Sequence, residues 1–329
     1  MSRGFNLVNN LPPHIQKALM ELDLSIPEGG TYHEIISLLN QTVLLGGKRF
    51  RPMLLFLIGD LFAIPMGRLA PFARAIEYVH VASLCHDDVI DSASMRRGLP
   101  SINVVASNKM AILSGDYLLA KVIQDLCMNG HLPSLQALST VIMDLSLGEW
   151  MQSQTNGKFQ EPPDKEWIDT IIKKKTASLI AWSCLVPALL SNAPSSMMND
   201  LKQLGLLLGE IFQLTDDILD FTTPENTPPE EILSDLQSGT VNSVLSEYFH
   251  ENPTQWSNWR EGKFNLDSAD FTNAMLIVEK KCEIVGDQAL KTFQALIQNI
   301  SHFTTKNLLD SPASLALELL IRYLPNRKK

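Results

Sequence analysis

Apolar side chains recur along this chain at intervals of three and four residues, while the strict alternation that marks a half-buried strand is almost absent. The pattern predicts an all-α protein. Thr31, with Glu34 three residues on, forms a capping box for a helix running to about Leu45, and Gly46-Gly47 ends it. Arg51-Pro52 opens the next helix, with residues 53 to 61 as its apolar face. After a break at 64–67, a helix from about Leu69 to Asp91 spans roughly 34 Å at ~1.5 Å per residue. Residues 92–100 read as a loop. Further long helices are expected near 108–127, 135–154, 166–190, 197–221, 269–298 and 313–324. Short linkers make antiparallel neighbours, and no linker divides the chain, so a single bundle domain over 1–329 is expected. Met143, Trp150, Met151 and Trp182 fall where core side chains are expected.

Composition adds limits. Hydrophobic residues make up 45% of the chain, enough for a large core, and the net charge of -9 gives neither a nucleic-acid groove nor a polybasic membrane patch. The four cysteines, Cys85, Cys127, Cys184 and Cys282, are far apart in apolar settings with no C-x-x-C pair, and read as buried free thiols. The first residues lack the apolar core of a secretory signal, and no apolar run is long enough to span a bilayer, so a soluble cytoplasmic protein is expected.

Chemistry concentrates in a repeated spelling. Asp87, Asp88 and Asp91 end one long apolar segment, and Asp216, Asp217 and Asp220 end another. Residues four apart share a helix face, so Asp87 and Asp91 converge, as do Asp216 and Asp220. Like charges so placed are best tolerated around a hard divalent cation with oxygen ligands, and magnesium is the natural candidate. Cations stand in short clusters: Lys48, Arg49 and Arg51; Arg96 and Arg97; and Lys173, Lys174 and Lys175. Their forks and point charges match phosphate oxygens. Taken singly, an acidic motif is as readily a solvated helix end, the lysine run a solvated face, and His80 a satisfied core histidine; their combination points to a site.

In order and spacing, Gly46-Gly-Lys-Arg-Phe-Arg-Pro52, His80, Asp87-Asp-Val-Ile-Asp91, Arg96-Arg-Gly98, Gly115-Asp116, Gly148-Glu149 with Gln152, Lys175-Thr-Ala177 and Phe212-Gln-Leu-Thr-Asp-Asp-Ile-Leu-Asp220 resemble the trans-isoprenyl diphosphate synthases of the medium and long-chain type. The resemblance implies helices around a central cavity, and condensation of isopentenyl diphosphate with an allylic diphosphate by ionisation, condensation and elimination. It matches Lys48, Arg51, His80 and Arg97 to the diphosphate of isopentenyl diphosphate, and Arg96 and Lys175 to the allylic diphosphate. Asp87, Asp91 and Asp216 match carboxylates on three magnesium ions, with Asp88, Asp217 and Asp220 in support. Lys175, Thr176 and Gln213 match the polar atoms along the path of the carbocation. One turn before Asp87, the small Ala82 and Ser83 leave the product shaft open, which implies a medium or long product. A homodimer is implied, with a heteromer as the other arrangement.

The chain departs from the pattern where the family carries two lysines after the second acidic motif, and offers Glu230 and Thr240 there. A weakly active or non-catalytic subunit of a heteromeric synthase is the alternative this raises. A di-iron oxidoreductase is another, since Glu77-x-x-His80 and Glu247-x-x-His250, with Glu149 and Glu210, spell a di-iron bundle. It leaves six aspartates without a task. A terpene cyclase would leave Lys48, Arg51 and His80 unused.

Overall fold

The computed structural model describes residues 10–27, 33–47, 49–96, 99–155, 159–222, 233–266 and 269–327. Helices follow one another as α1 (Pro13–Met20), α2 (His33–Gln41), α3 (Phe50–Leu61) and α4 (Met66–Ile90). A two-stranded ribbon of β1 (Met95–Arg96) and antiparallel β2 (Leu99–Pro100) comes next. Then come α5 (Ile102–Val105), α6 (Asn108–Asn129), α7 (Leu132–Thr155) and α8 (Lys165–Ile171). A π-helical turn (Ile172–Ala177) leads into α9 (Ser178–Leu190), α10 (Ser195–Asp220), α11 (Ser234–Ser238), α12 (Ser243–Glu251), α13 (Pro253–Arg260), α14 (Thr272–Thr304) and α15 (Pro312–Tyr323). The all-α class follows the sequence pattern. Helix α2 stops at Gln41 rather than Leu45, and its expected cap Thr31 lies outside the described residues.

The described residues fall into two compact units, one drawn from Met1–Ser139, Trp182–Met198 and Ile300–Ala316, the other from Thr140–Ala181, Asn199–Asn299 and Leu317–Lys329. In the first, α3 is apolar almost throughout and buried, and it packs on α4, which also lies along α6. Arg49, read from sequence as part of a phosphate cluster, is engaged elsewhere. Its backbone is left-handed (φ 49°), and Nη1 donates to the carbonyls of Leu19, in the last turn of α1, and Leu22, just past it, both at 2.7 Å. Orphan carbonyls at a helix C-terminus are a favourable place for a cation. Trp182 is core as expected, donating Nε1 to the Ser134 carbonyl at 3.0 Å and lying beside Phe72.

In the second unit α10 approaches α9 and the π turn at backbone distance. A Cβ added to Gly209 would stand 2.4 Å from the Ala177 Cα, and one added to Gly205 the same distance from the Ala181 Cα. Neither neighbour is a flexible side-chain end that can swing aside. Gly209→Ala is therefore expected to cost about 3 kcal/mol, the upper range for overpacking, read as a lowered urea midpoint. Helices α12 and α13 lie outside the elements expected from the sequence and close around an aromatic cluster of Tyr248, Phe249, Trp256, Trp259 and Phe264.

Two assignments to the core are corrected. Trp150 is 69% exposed and Met143 64% exposed, because α7 is apolar on more than one face and these side chains lie on the outward one. Cys127, near the end of α6, is exposed, whereas Cys85, Cys184 and Cys282 are buried free thiols. Among the described residues no helix is long and apolar enough to cross a membrane.

Candidate active site

The first acidic motif occupies the last turn of α4. Asp88 is fully buried, Asp87 is half-buried and Asp91, the C-cap, is exposed with its N–H donating to the Asp87 carbonyl at 2.8 Å. The turn beyond is fastened by α5: Asn103 Nδ2 donates to the carbonyls of Asp88 (3.1 Å) and Ala93 (3.0 Å), and Ser101 Oγ to Ala93 at 2.7 Å. Across from it, Gly115 of α6 leaves room for His86, since a Cβ there would sit 2.3 Å from the ring Nε2. That nitrogen lies 3.4 Å from Asp116 Oδ1. Arg51 and His80 are half-buried in the same unit. Ser83 Oγ donates to the His80 carbonyl at 2.8 Å, and Ala82 is fully buried. Lys48 and Arg97 lie outside the described residues, as does Glu230, and of Arg96 only the backbone is described, in β1.

The second motif ends α10, in the other unit. Its three aspartates have different surroundings. Asp216 is 44% exposed in its side chain and pairs with Arg327 Nη2, whose guanidinium also lies 4.4 Å over the Phe212 ring. Asp217, 3% exposed, accepts from the Ser243 N–H (3.0 Å), the Ser243 hydroxyl (2.5 Å) and Gln213 Nε2 (2.8 Å). Burial pushes its carboxyl up to about 6 against those hydrogen bonds, which act to lower it. Asp220 is buried and accepts from the Asp235 N–H at 3.3 Å. Asp235 is itself pushed up to about 7, by burial first and then by the charges of Asp217 and Asp220. Thr240, at one of the positions where the resemblance implies a lysine, is buried and accepts from Ser238 Oγ at 3.1 Å.

Lys175 and Thr176 are carried by the π turn, a form of helix found often at functional sites. Gly148 of α7 admits the turn: a Cβ there would meet the Lys175 backbone nitrogen at 2.8 Å. Lys175 Nζ pairs with Glu149 and donates to Gln152 Oε1 at 2.7 Å, while Thr176 Oγ1 donates to Gln213 Oε1 at 2.7 Å. Lys174 is held apart by Asp144 at 2.6 Å. The structure thus joins Lys175, Thr176, Gln213 and the second motif in one polar patch of the second unit.

Arg327 and Ser243 were missed from sequence. The basic run that begins at Arg327 was the available signal for the first; an isolated serine gives none. Three of the four carboxylates of the di-iron alternative are committed to lysines: Glu149 to Lys175, Glu247 to Lys165 at 2.5 Å, and Glu210 to Lys281 at 3.7 Å. Burial raises the Glu210 carboxyl.

Asp87 and Asp91 in the first motif, and Asp216 in the second, are accessible hard oxygen donors of the kind magnesium takes. Asp217 has both oxygens engaged and fits poorly. Among the described residues no three carboxylate, histidine or cysteine groups are gathered closely enough to hold a metal.

Residues 33–270 match the family model described as polyprenyl synthetase. The chain belongs to that family. Heptaprenyl diphosphate synthase component 2 of Geobacillus stearothermophilus is 39% identical over 196 residues, 60% of this chain and 61% of that protein. Decaprenyl-diphosphate synthase of Dictyostelium discoideum is 31% identical over 329 residues, covering 96% of this chain and 68% of that one. The matched stretch therefore spans under two thirds of the first of these relatives. Among solved structures, heptaprenyl diphosphate synthase from Staphylococcus aureus superposes with a TM-score of 0.74 at 26% identity, covering 99% of each chain. A polyprenyl synthase from Caulobacter crescentus, at 22% identity and a TM-score of 0.78 over 98% of each chain, shares the fold.

Proposed function

We propose that the chain is a magnesium-dependent prenyltransferase that condenses isopentenyl diphosphate with an allylic diphosphate into a medium or long all-trans polyprenyl diphosphate. Asp87, Asp91 and Asp216 would hold the metal, with Asp88 and Asp220 supporting them; magnesium held there would supply Lewis-acid stabilisation of the departing diphosphate. Lys175 and Arg96 meet the allylic diphosphate, and Lys48, Arg51, His80 and Arg97 hold that of isopentenyl diphosphate. The allylic C–O bond breaks and its electron pair leaves with the diphosphate. The double bond of isopentenyl diphosphate attacks the cation, and a proton passes to the released diphosphate. Thr176 and Gln213 present neutral oxygen dipoles to that cation, so no side-chain nucleophile is needed. Water must be excluded, since it would trap the cation as an alcohol.

The observation that carries this reading is the hydrogen-bonded line from Thr176 through Gln213 to Asp217 beside Lys175. It supplies acceptor dipoles and one cation, which suits a reaction that passes through a carbocation and an anionic leaving group. The test is incubation of the purified chain with labelled isopentenyl diphosphate, magnesium and farnesyl or geranylgeranyl diphosphate, followed by chain-length analysis. Absence of product from every primer would favour the alternative, a weakly active or non-catalytic subunit, which rests on Thr240 replacing a lysine. The buried position of Ala82 supports its role in product length. Ala82→Phe is expected to shorten the product, and an unchanged length distribution would refute the shaft.

We treat 1–329 as one domain, because neither unit is a continuous stretch of chain. A second copy is the assigned partner. Apolar side chains stand exposed on α6 (Ile112, Leu113, Ile123) and on α7 (Met143, Leu147, Trp150), and sedimentation of the isolated chain tests for the homodimer. Buried free thiols fit a reducing compartment, the cytoplasm.

A further inference from the structure

We infer that Asp217 is the buried anchor that fixes which way the Gln213 amide points, rather than a metal ligand, and that Ser243 is the positioning residue that holds Asp217 in place. The inference rests on the prenyltransferase reading for its consequence in catalysis, but its geometry stands on four side chains of one unit.

An ionised carboxylate only accepts hydrogen bonds. Asp217 Oδ1 faces Gln213, so the group turned toward it is the amide NH2, at 2.8 Å. The Gln213 carbonyl oxygen is thereby directed the opposite way, where it accepts from the Thr176 hydroxyl at 2.7 Å. An amide can ordinarily be turned over with little change in shape. Here one orientation satisfies both neighbours, and the other sets the amide oxygen against the Asp217 carboxylate oxygen and the amide NH2 against the Thr176 hydroxyl. The choice matters to the reaction. With the oxygen toward Thr176, the negative ends of the amide and hydroxyl dipoles are available to a developing cation; reversed, the amide would present its positive edge.

Ser243 supplies two of the three donors to Asp217, both to Oδ2, from its N–H at 3.0 Å and its hydroxyl at 2.5 Å. It is the first residue of α12, and the cap before it fixes its position. Asn242 Oδ1 accepts from the Leu245 N–H at 2.9 Å, while Asn242 Nδ2 donates to Asp235 Oδ2 at 2.9 Å. With Asp217 3% exposed and both oxygens engaged, coordination of a metal would strip donors from a buried carboxylate. The second acidic motif therefore divides its labour: Asp216 outward to the cation, Asp217 inward to the amide.

The full chain is tested with labelled isopentenyl diphosphate and farnesyl diphosphate. Asp217→Asn places an NH2 before the Gln213 amide, so kcat is expected to fall about a hundredfold with KM for isopentenyl diphosphate within about threefold of wild type. Calorimetry of magnesium binding in the presence of inorganic pyrophosphate is expected to be unchanged within about twofold. Weakening by tenfold or more would make Asp217 a ligand and overturn the assignment. Ser243→Ala is expected to lower kcat about tenfold, and Ser243→Thr to restore it to within about threefold, since the hydroxyl returns. A Ser243→Ala enzyme with wild-type kcat overturns the role of Ser243.

A measurement on the unsubstituted chain guards against variants that fail to fold. The side-chain NH2 of Gln213 is expected to exchange with solvent at least tenfold more slowly than that of an exposed glutamine by nitrogen-edited NMR, at roughly the protection a closed hydrogen bond gives. Exchange at the exposed rate overturns the anchor. An unsubstituted chain that makes no product would count against the prenyltransferase reading, while amide exchange and the magnesium isotherm still decide the assignment of Asp217.

Discussion

Asp216→Asn is expected to lower turnover about a thousandfold at saturating substrate while leaving the fold intact, because in the proposed mechanism it removes a charged metal ligand from the transition state of diphosphate departure. Of the three carboxylates ending α10, Asp216 is the accessible one, and the other two face inward to Ser243, Gln213 and Asp235. Asparagine keeps the shape and loses the charge. The stability cost should be under about 1 kcal/mol, since the ion pair with Arg327 involves a half-exposed carboxylate that solvent screens. Arg327 also keeps its seat over Phe212. Steady-state kinetics across a magnesium titration, paired with thermal unfolding, check both halves. A variant of normal stability and near-normal turnover would place the metal elsewhere.

Lys175→Met should fail differently, losing both activity and stability. In the proposed mechanism the side chain is the cation that meets the allylic diphosphate, and removing a charge-assisted contact to a departing diphosphate costs a factor of about 100 to 1,000 in kcat. Glu149 meanwhile loses its cation in a largely buried position, which costs on the order of 1–3 kcal/mol. Adding Glu149→Gln removes the stranded charge, so the double variant should recover most of the stability and none of the rate. Arginine should restore little, because a planar fork cannot stand in for a point charge seated between Glu149 and Gln152. Full activity in Lys175→Met would remove the lysine from the mechanism.

The helices that carry the aspartates were legible because each is long and periodic, and because a repeated acidic spelling at two helix ends has few other uses. Helices α1, α12 and α13 were not. They are short, and the last two are rich in aromatic and polar residues whose burial is decided by the cluster around Phe249 rather than by local period. Trp150 and Met143 show the limit of hydrophobicity as a guide: an apolar helix says which residues avoid water, and not which of its faces the same chain covers. Arg49 shows the limit for charge, since its neighbours in sequence suggested phosphate while its contacts are the carbonyls of Leu19 and Leu22. Within the site, the types and positions of Lys175, Thr176 and Gln213 could be read, but the direction of an amide depends on Ser243, 26 residues beyond Asp217.

The π turn between α8 and α9 has a consequence for how this region can vary. An ordinary helix advances its side chains by about 100° per residue, and a wider turn absorbs one residue without carrying that rotation onward. Ile168 and Ile171 before the turn, Ala177 at its last position and Ala181 after it can all be buried for this reason. Lys175 and Thr176 occupy the surplus length. Removing a single residue there would tighten the winding and swing Ala177 out of phase with Gly209, so this segment should tolerate exchange of side chains far better than any change in their number.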